Sequence, residues 1–226
     1  MNFDINFAVK ILPIMAKYLK ITLSLAALSL LIGLILAFII SMIIYAKVPV
    51  LSQFFKVYIS FFRGTPLVAQ LFCVYFGLLP SLPSLTLKIT SFGAALIVMS
   101  LNSSAYMAES LRGALSSIDK GQIEAAMSIG MTYIQTMRRI VLPQAFRVAL
   151  PTLGSSFINV LKDTSLTFSI GVKEMMASAQ LEAASSYRYL EGFVDVLIIY
   201  WILTSLLSLL QSKLEKKFNS MIGEEK

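Results

Sequence analysis

The sequence predicts an all-α integral membrane protein: about five transmembrane helices, with a two-helix elbow between spans three and four. Three observations predict it. Of 226 residues, 57% are hydrophobic and 14% charged, and mean hydropathy is +0.79, too little polarity to cover a soluble domain of this size. The apolar residues fall in long runs, at 21–46, 51–79, 89–111, 146–170 and 193–210, lengths that suit a hydrocarbon core of roughly 30 Å. Between the third and fourth runs, Asp119–Pro143 reads DKGQIEAAMSIGMTYIQTMRRIVLP, as two amphipathic helices of about 15 Å each, too short to cross.

Residues 1–20 carry Asp4, Lys10, Pro13, Lys17 and Lys20 and read as an interfacial, extracytoplasmic lead-in. The first span, 21–46, would be about 39 Å long and allows tilt. Its Ser24, Ala26, Ala27, Ser29 and Gly33 are small enough to face another helix. Lys47, Pro49 and Lys56 mark a turn. In the second span Arg63-Gly64-Thr65-Pro66 predicts a break, because Pro66 removes a backbone donor. Arg63 there could meet an anionic substrate or lipid phosphate at the inner face; its early position favours the inner face. Residues 79–84 form a turn at the opposite side.

The third span holds Asn102, Ser103, Ser104, Tyr106 and Glu109 in its second half, too polar to meet lipid all round. Glu109 and Arg112 are spaced as an ion pair. The fourth holds Asn159, Lys162 and Asp163. Residues 171–191 read as an outer helical loop, with Met175 and Met176 as loop or packing residues, and 211–226 as a charged cytoplasmic tail.

Within the elbow, Asp119 with Gln122, and Thr132 with Gln135, have capping-box spacing. Pro143 predicts the stop of the second helix. Ile123, Ala126 and Met127 would share one face, and Ile134, Met137 and Val141 another.

Charge gives orientation and excludes other functions. Twelve Lys and Arg fall on the elbow's side against six on the other, leaving out Lys162 within a span. That bias predicts the N-terminus outside, and the elbow and C-terminus in the cytoplasm. The basic residues form no block, so nucleic acid is not a partner. The chain has no His and one Cys, which excludes an internal disulfide, a His-assisted nucleophile and a thiolate or imidazole metal site. Cys73, in an apolar run, reads as a small buried hydrophobe. No G-x-x-x-x-G-K-[ST] loop is present, so any ATP must be bound by another chain.

From periodicity alone, the elbow either docks a soluble partner or lies on the membrane surface. The residues then carry a resemblance. Glu124-Ala125-Ala126, Gly130, Ile140 and Leu142-Pro143 match every fixed position of the E-A-A-x3-G-x9-I-x-L-P signature of permease subunits in bacterial ABC importers. FRGTPLVAQL from Phe62, AYMAESLRGALSSIDKGQ from Ala105, LPQAFRVALP from Leu142 and INVLKDTSL from Ile158 resemble the subfamily for polar amino acids. The resemblance spans about 18–210. It implies a multi-pass subunit of the bacterial inner membrane, paired with a second permease, identical or homologous. A cytoplasmic ATPase dimer would bind ATP and Mg, and an extracytoplasmic protein would deliver substrate. This chain would bind no cofactor and catalyse nothing. The elbow would be the coupling helix, with Glu124, Ala125, Ala126, Gly130, Leu142 and Pro143 as its ATPase-coupling residues.

Intramembrane polar groups suggest a substrate path. Asn102 and Tyr106 share a helix face, and Asp163, Thr164 and Ser165 interrupt the fourth span. Asp163 could take a substrate ammonium; Thr164, Ser165 and nearby N–H groups could take its carboxylate. The alternative is a structural Lys162–Asp163 ion pair and a helix-to-helix bond from Asn102. The rival functions are an ATPase-independent secondary transporter or channel subunit, and a membrane scaffold. The polar amino acid could be glutamine, another of that class, or cystine.

Overall fold

A computed structural model describes residues 3–82 and 89–220. Lys88, Lys226 and the end of the turn at 79–84 therefore lie outside the described residues. The described residues hold helices and no strand: α1 (Ile5–Tyr45), α2 (Leu51–Gly64), α3 (Leu67–Phe72) prolonged by a π-helical turn (Cys73–Leu78), α4 (Ser91–Ser116), α5 (Lys120–Ser128), α6 (Tyr133–Thr136) with a π-helical turn (Met137–Val141), α7 (Leu142–Asp163) with a 3-10 turn (Thr164–Ile170), α8 (Met175–Ser186) and α9 (Tyr189–Ser220).

The core is three apolar clusters stacked along α1. Near Tyr45, Ala37, Ile40 and Ile44 meet Ile59 of α2, Leu111 and Leu115 of α4, and Val141. Midway, Leu25 and Ala26 meet Leu71, Val98 and Leu161. Near Ile5, Ile11 and Met15 meet Met175 and Ala179 of α8 and Val196 of α9. The residues read as a lead-in are thus the first turns of α1, continuous through Pro13. Asp4 starts the helix by accepting from the Phe7 N–H at 3.1 Å and pairs with Arg188 at 3.4 Å.

Small residues set how closely α1 approaches α4. Ala26, Ser29 and Gly33 are buried, while Ser24 and Ala27 face outward. A methyl group on Gly33 would overlap the Ser103 hydroxyl and lie 3.0 Å from the Met107 methyl. A side chain there would push two helices apart and open space in a close-packed interior.

The break in the second span is present: α2 and α3 meet at 108°. Its depth differs from expectation. The Phe62 carbonyl accepts from Asn102 Nδ2 at 3.2 Å, and Asn102 lies in the middle of α4. Arg63 is therefore level with the centre of α4, not the inner face. The reason is that α2 is a full 14 residues, about 21 Å, before it breaks. Cys73 also departs from expectation. It is exposed, because the α3 turn buries Leu71 and Leu79 and leaves Phe72, Cys73 and Phe76 outward.

By length and composition, α1, α4 and α9 can each cross a membrane, and the bent α2–α3 pair makes a fourth candidate. With 22 residues, about 33 Å, α7 is long enough. It is less apolar because Ser156, Asn159, Lys162 and Asp163 line a cavity. The expected outer loop contains α8, whose Ala177, Ser178, Ala179 and Ala183 are buried. Its N-terminus is capped by Glu174, fully buried, which accepts from the Ala177 N–H at 2.7 Å, Thr22 at 3.3 Å and Tyr200 at 3.3 Å. The tail continues α9 along α7: Gln211 donates to the Pro151 carbonyl at 3.0 Å, and Phe218 meets Phe146 edge-on.

Candidate functional site: an elbow and a walled cavity

The elbow forms as two short helices. Asp119 caps α5 by accepting from the Gly121 N–H at 2.9 Å. The expected box with Gln122 does not form, because the Gln122 amide accepts instead from Gln144 Nε2 at 2.6 Å. The second box does form: the Gln135 N–H donates to Thr132 Oγ1 at 3.3 Å and the Thr132 N–H to Gln135 Oε1 at 2.8 Å. Gly130 turns the chain at φ +88°, a left-handed conformation that a Cβ disfavours.

Pro143 does not stop the second helix. The chain runs from α6 through the π-helical turn into α7, with Pro143 in the first turn of α7. The wider turn accommodates a residue that cannot donate to the carbonyl four residues back. Gln144 Nε2 donates to the Ile140 carbonyl at 2.9 Å, so one side chain satisfies the turn and ties it to α5.

Of the signature residues, Glu124, Ala125, Gly130 and Pro143 are exposed, Ala126 is buried and Leu142 is half-buried. The expected apolar faces are only partly inward. Ala126, Met137 and Val141 are buried, but Met127 is 51% and Ile134 76% exposed, beside Ile129 at 80%. Three exposed apolar side chains around one tight turn, next to the Glu124 carboxylate, make a surface that a protein groove could bury. Ile129, at the end of α5, belongs to neither helical stripe, so periodicity gives no signal for it.

The second feature is a cavity of about 550 Å³ walled by the α2–α3 break and by α4 and α7. From the break come Thr65, Pro66 and Leu67; from α4, Asn102, Ser103 and Tyr106; from α7, Ser156, Asn159, Val160, Lys162 and Asp163. Gln70 holds the break open: its Nε2 donates to the Phe62 carbonyl at 3.0 Å, the Thr65 carbonyl at 3.1 Å and Thr65 Oγ1 at 2.8 Å. The two carbonyls are acceptors that the interrupted helix leaves unpaired. Asn102 Nδ2 donates to Gln70 Oε1 at 3.0 Å. The Tyr58 hydroxyl anchors α2 to the Leu101 carbonyl at 2.8 Å. Arg63 lies over the Tyr106 ring, 5.6 Å from its centroid, a cation–π contact.

Of the five residues expected along a substrate path, three line this cavity: Asn102, Tyr106 and Asp163. Asn102 also makes the helix-to-helix bond, so its amide both walls the cavity and positions the break. Thr164 and Ser165 turn away. Each hydroxyl bonds the carbonyl three residues back, Leu161 at 2.7 Å and Lys162 at 2.7 Å, satisfying groups freed where α7 tightens to 3-10. Among the described residues Asp163 makes no ion pair, with Lys162 or any other cation. The cavity therefore holds a carboxylate and an ammonium that are not spent on each other. Glu109 and Arg112 do pair, at 2.6 Å. Ser156 and Asn159 were not expected in the path; their spacing to Asp163, which puts all three on one face of α7, is the signal that points to them, and Thr65 carried no such signal.

The family model described as binding-protein-dependent transport system inner membrane component matches residues 29–220. A probable amino-acid ABC transporter permease of Vibrio harveyi is 49% identical over 219 residues, 97% of this chain and 98% of the relative. An L-cystine transport system permease of Bacillus subtilis (strain 168) is 43% identical over 203 residues, 88% of this chain and 84% of the relative. The crystal structure of an amino acid ABC transporter with histidines matches with a TM-score of 0.87 at 34% identity, over 96% of this chain and 100% of that one.

Proposed function

The chain belongs to the binding-protein-dependent transport system inner membrane component family, and from that premise we propose that it moves a polar amino acid through the cavity between α2, α4 and α7. It is a multi-pass permease subunit of an ABC importer, without catalysis of its own; a separate ATPase hydrolyses the ATP. That assignment displaces the ATPase-independent transporter and the scaffold. One observation carries the proposal. The elbow joins α4 directly to α7, and α4 and α7 are the helices that wall the cavity. Whatever moves the elbow moves both walls.

The cavity chemistry suits a zwitterion. Asp163 takes the α-ammonium, and Lys162 with Asn159 takes the carboxylate, replacing water that each group gives up on entry. Tyr106 offers an aromatic face and a hydroxyl. The relatives for cystine and for unspecified amino acids, and the neighbour solved with histidines, support this class. The side chain carried stays open among glutamine, other polar amino acids and cystine.

In the same proposal the elbow lies in the cytoplasm, with the C-terminus, and the N-terminus lies outside. The ATPase, with its ATP and Mg, grips Glu124, Ala125 and the apolar knob at Met127, Ile129 and Ile134. Closure of the ATPase dimer swings α4 and α7 and opens the cavity outward, where an extracytoplasmic binding protein hands over substrate. A second permease, identical or homologous, completes the pathway. The test is Asp163→Asn in liposomes with the ATPase and binding protein. Uptake and substrate-stimulated hydrolysis should fall by more than tenfold, the loss of an ion pair in a dehydrated site, while the complex still assembles. Unchanged uptake removes Asp163 from the path.

A further inference from the structure

A second cavity, larger than the one that the transport reading uses, stands apart from it. It has a volume of about 850 Å³ and lies at the elbow's end of the molecule. Its lining joins four cations, Lys47, Lys56, Arg112 and Lys120, to an apolar set that includes Ile44, Ile59, Leu115 and Ile118. Glu109 is the one carboxylate in the lining, and Arg112 already holds it through two hydrogen bonds at 2.6 and 2.9 Å. The side chains of Lys47, Lys56 and Lys120 are exposed and make no ion pair or hydrogen bond among the described residues. They come from three separate elements: the α1–α2 turn, α2, and the first residue of α5.

Three like charges brought to one cavity by three elements repel unless an anion sits among them. The apolar surface beside the lysines decides which anion. Leu51, Phe54 and Val57, on α2 with Lys56, are 44%, 61% and 68% exposed, hydrocarbon that a free inorganic anion would leave uncovered. A ligand with an anionic head and an acyl chain satisfies both the lysines and this surface. The flanking turn fits an interfacial depth, since Val48 and Val50 are 38% and 81% exposed beside Lys47. The surface offered to the ATPase is elsewhere, at Glu124, Ala125 and the knob around Gly130.

We propose that this cavity is a binding site for one anionic phospholipid, its phosphodiester held by Lys47, Lys56 and Lys120 and an acyl chain lying along the exposed Leu51, Phe54 and Val57 of α2. Because Lys120 opens α5, the lipid head joins the α1–α2 turn to the start of the elbow. The proposal does not depend on which solute is carried.

The test is native mass spectrometry of the chain purified with its ATPase, offered equal amounts of phosphatidylglycerol and phosphatidylcholine. The wild type should retain phosphatidylglycerol by roughly a hundredfold over phosphatidylcholine, about fivefold per lysine. K47Q/K56Q/K120Q should lose that preference, and a control neutralising Lys213, Lys216 and Lys217 at the same end should keep it. If the triple variant does not assemble, Lys56→Gln alone should show a loss of about fivefold. An unchanged preference in the triple or the single variant overturns the proposal. So does an equal loss in the control, which would mean bulk surface charge. Displacement of the lipid by millimolar inorganic phosphate would overturn it too, by making the site one for a soluble anion.

Discussion

The elbow and the cavity are built in opposite ways. The elbow is made of consecutive residues, and its main bonds are local: Asp119 to Gly121, Thr132 to Gln135, Gly130 in its own left-handed turn. The cavity is made of residues far apart in the chain, joined by Asn102 to Phe62 and to Gln70. Local bonds make a rigid part that can be pushed as a unit. Long-range bonds make a space whose shape changes when its walls move. A transporter needs one of each, and the difference predicts how variants in the two regions fail.

The largest effect should come from Gln70→Leu. It removes the contacts from Gln70 Nε2 to Phe62 and Thr65 and the Gln70 acceptor for Asn102, leaving Asn102 and Phe62 only their bond to each other and the part-buried Thr65 carbonyl without its side-chain donor, at about 1–3 kcal/mol. Uptake should fall by tenfold or more, with ATPase binding and basal hydrolysis retained because the elbow is untouched. Loss of ATPase binding in this variant would show that the two regions are not separable.

Gly130→Val should reverse the pattern. A methyl group placed on Gly130 would meet no atom within 4 Å, so crowding is not the difficulty. The difficulty is φ +88°, which costs a side chain roughly 1–2 kcal/mol. Membrane insertion should survive, hydrolysis should continue, and transport per ATP hydrolysed should drop several-fold. Normal uptake would end the rigid-elbow account.

What was legible in the sequence follows the same division. The caps at Asp119 and Thr132 and the turn at Gly130 are short-range patterns, and the structure has all three. The break at Arg63–Pro66 was legible as a break, but not its depth, which depends on how far α2 runs first. Asn102, Tyr106 and Asp163 reach the cavity because helix spacing sets their faces. Thr164 and Ser165 do not, because hydroxyls near a helix end bond backward to freed carbonyls. Thr65 and the role of Gln70 had no local signature, since a backbone break and a distant Asn must meet before either matters. Pro143 misled for a related reason: a stop signal in the sequence became the first turn of a long helix once a π-helical turn preceded it.

The smallest effect should separate the strength of the elbow from its shape. Thr132→Ala removes one arm of the capping box, worth about 1 kcal/mol. The other arm, Thr132 N–H to Gln135, and the Gln144 bridge to Gln122 keep the turn in place. Amide exchange at Gln135 and Thr136, whose N–H groups bond Thr132, should speed up about fivefold, the equivalent of that energy, while uptake changes by twofold or less. If uptake instead falls as far as in Gly130→Val, coupling depends on the stiffness of the first turn of α6 and not on the direction that Gly130 imposes. If exchange is unchanged, packing of Thr136 and Met137, both buried, holds α6 without its cap.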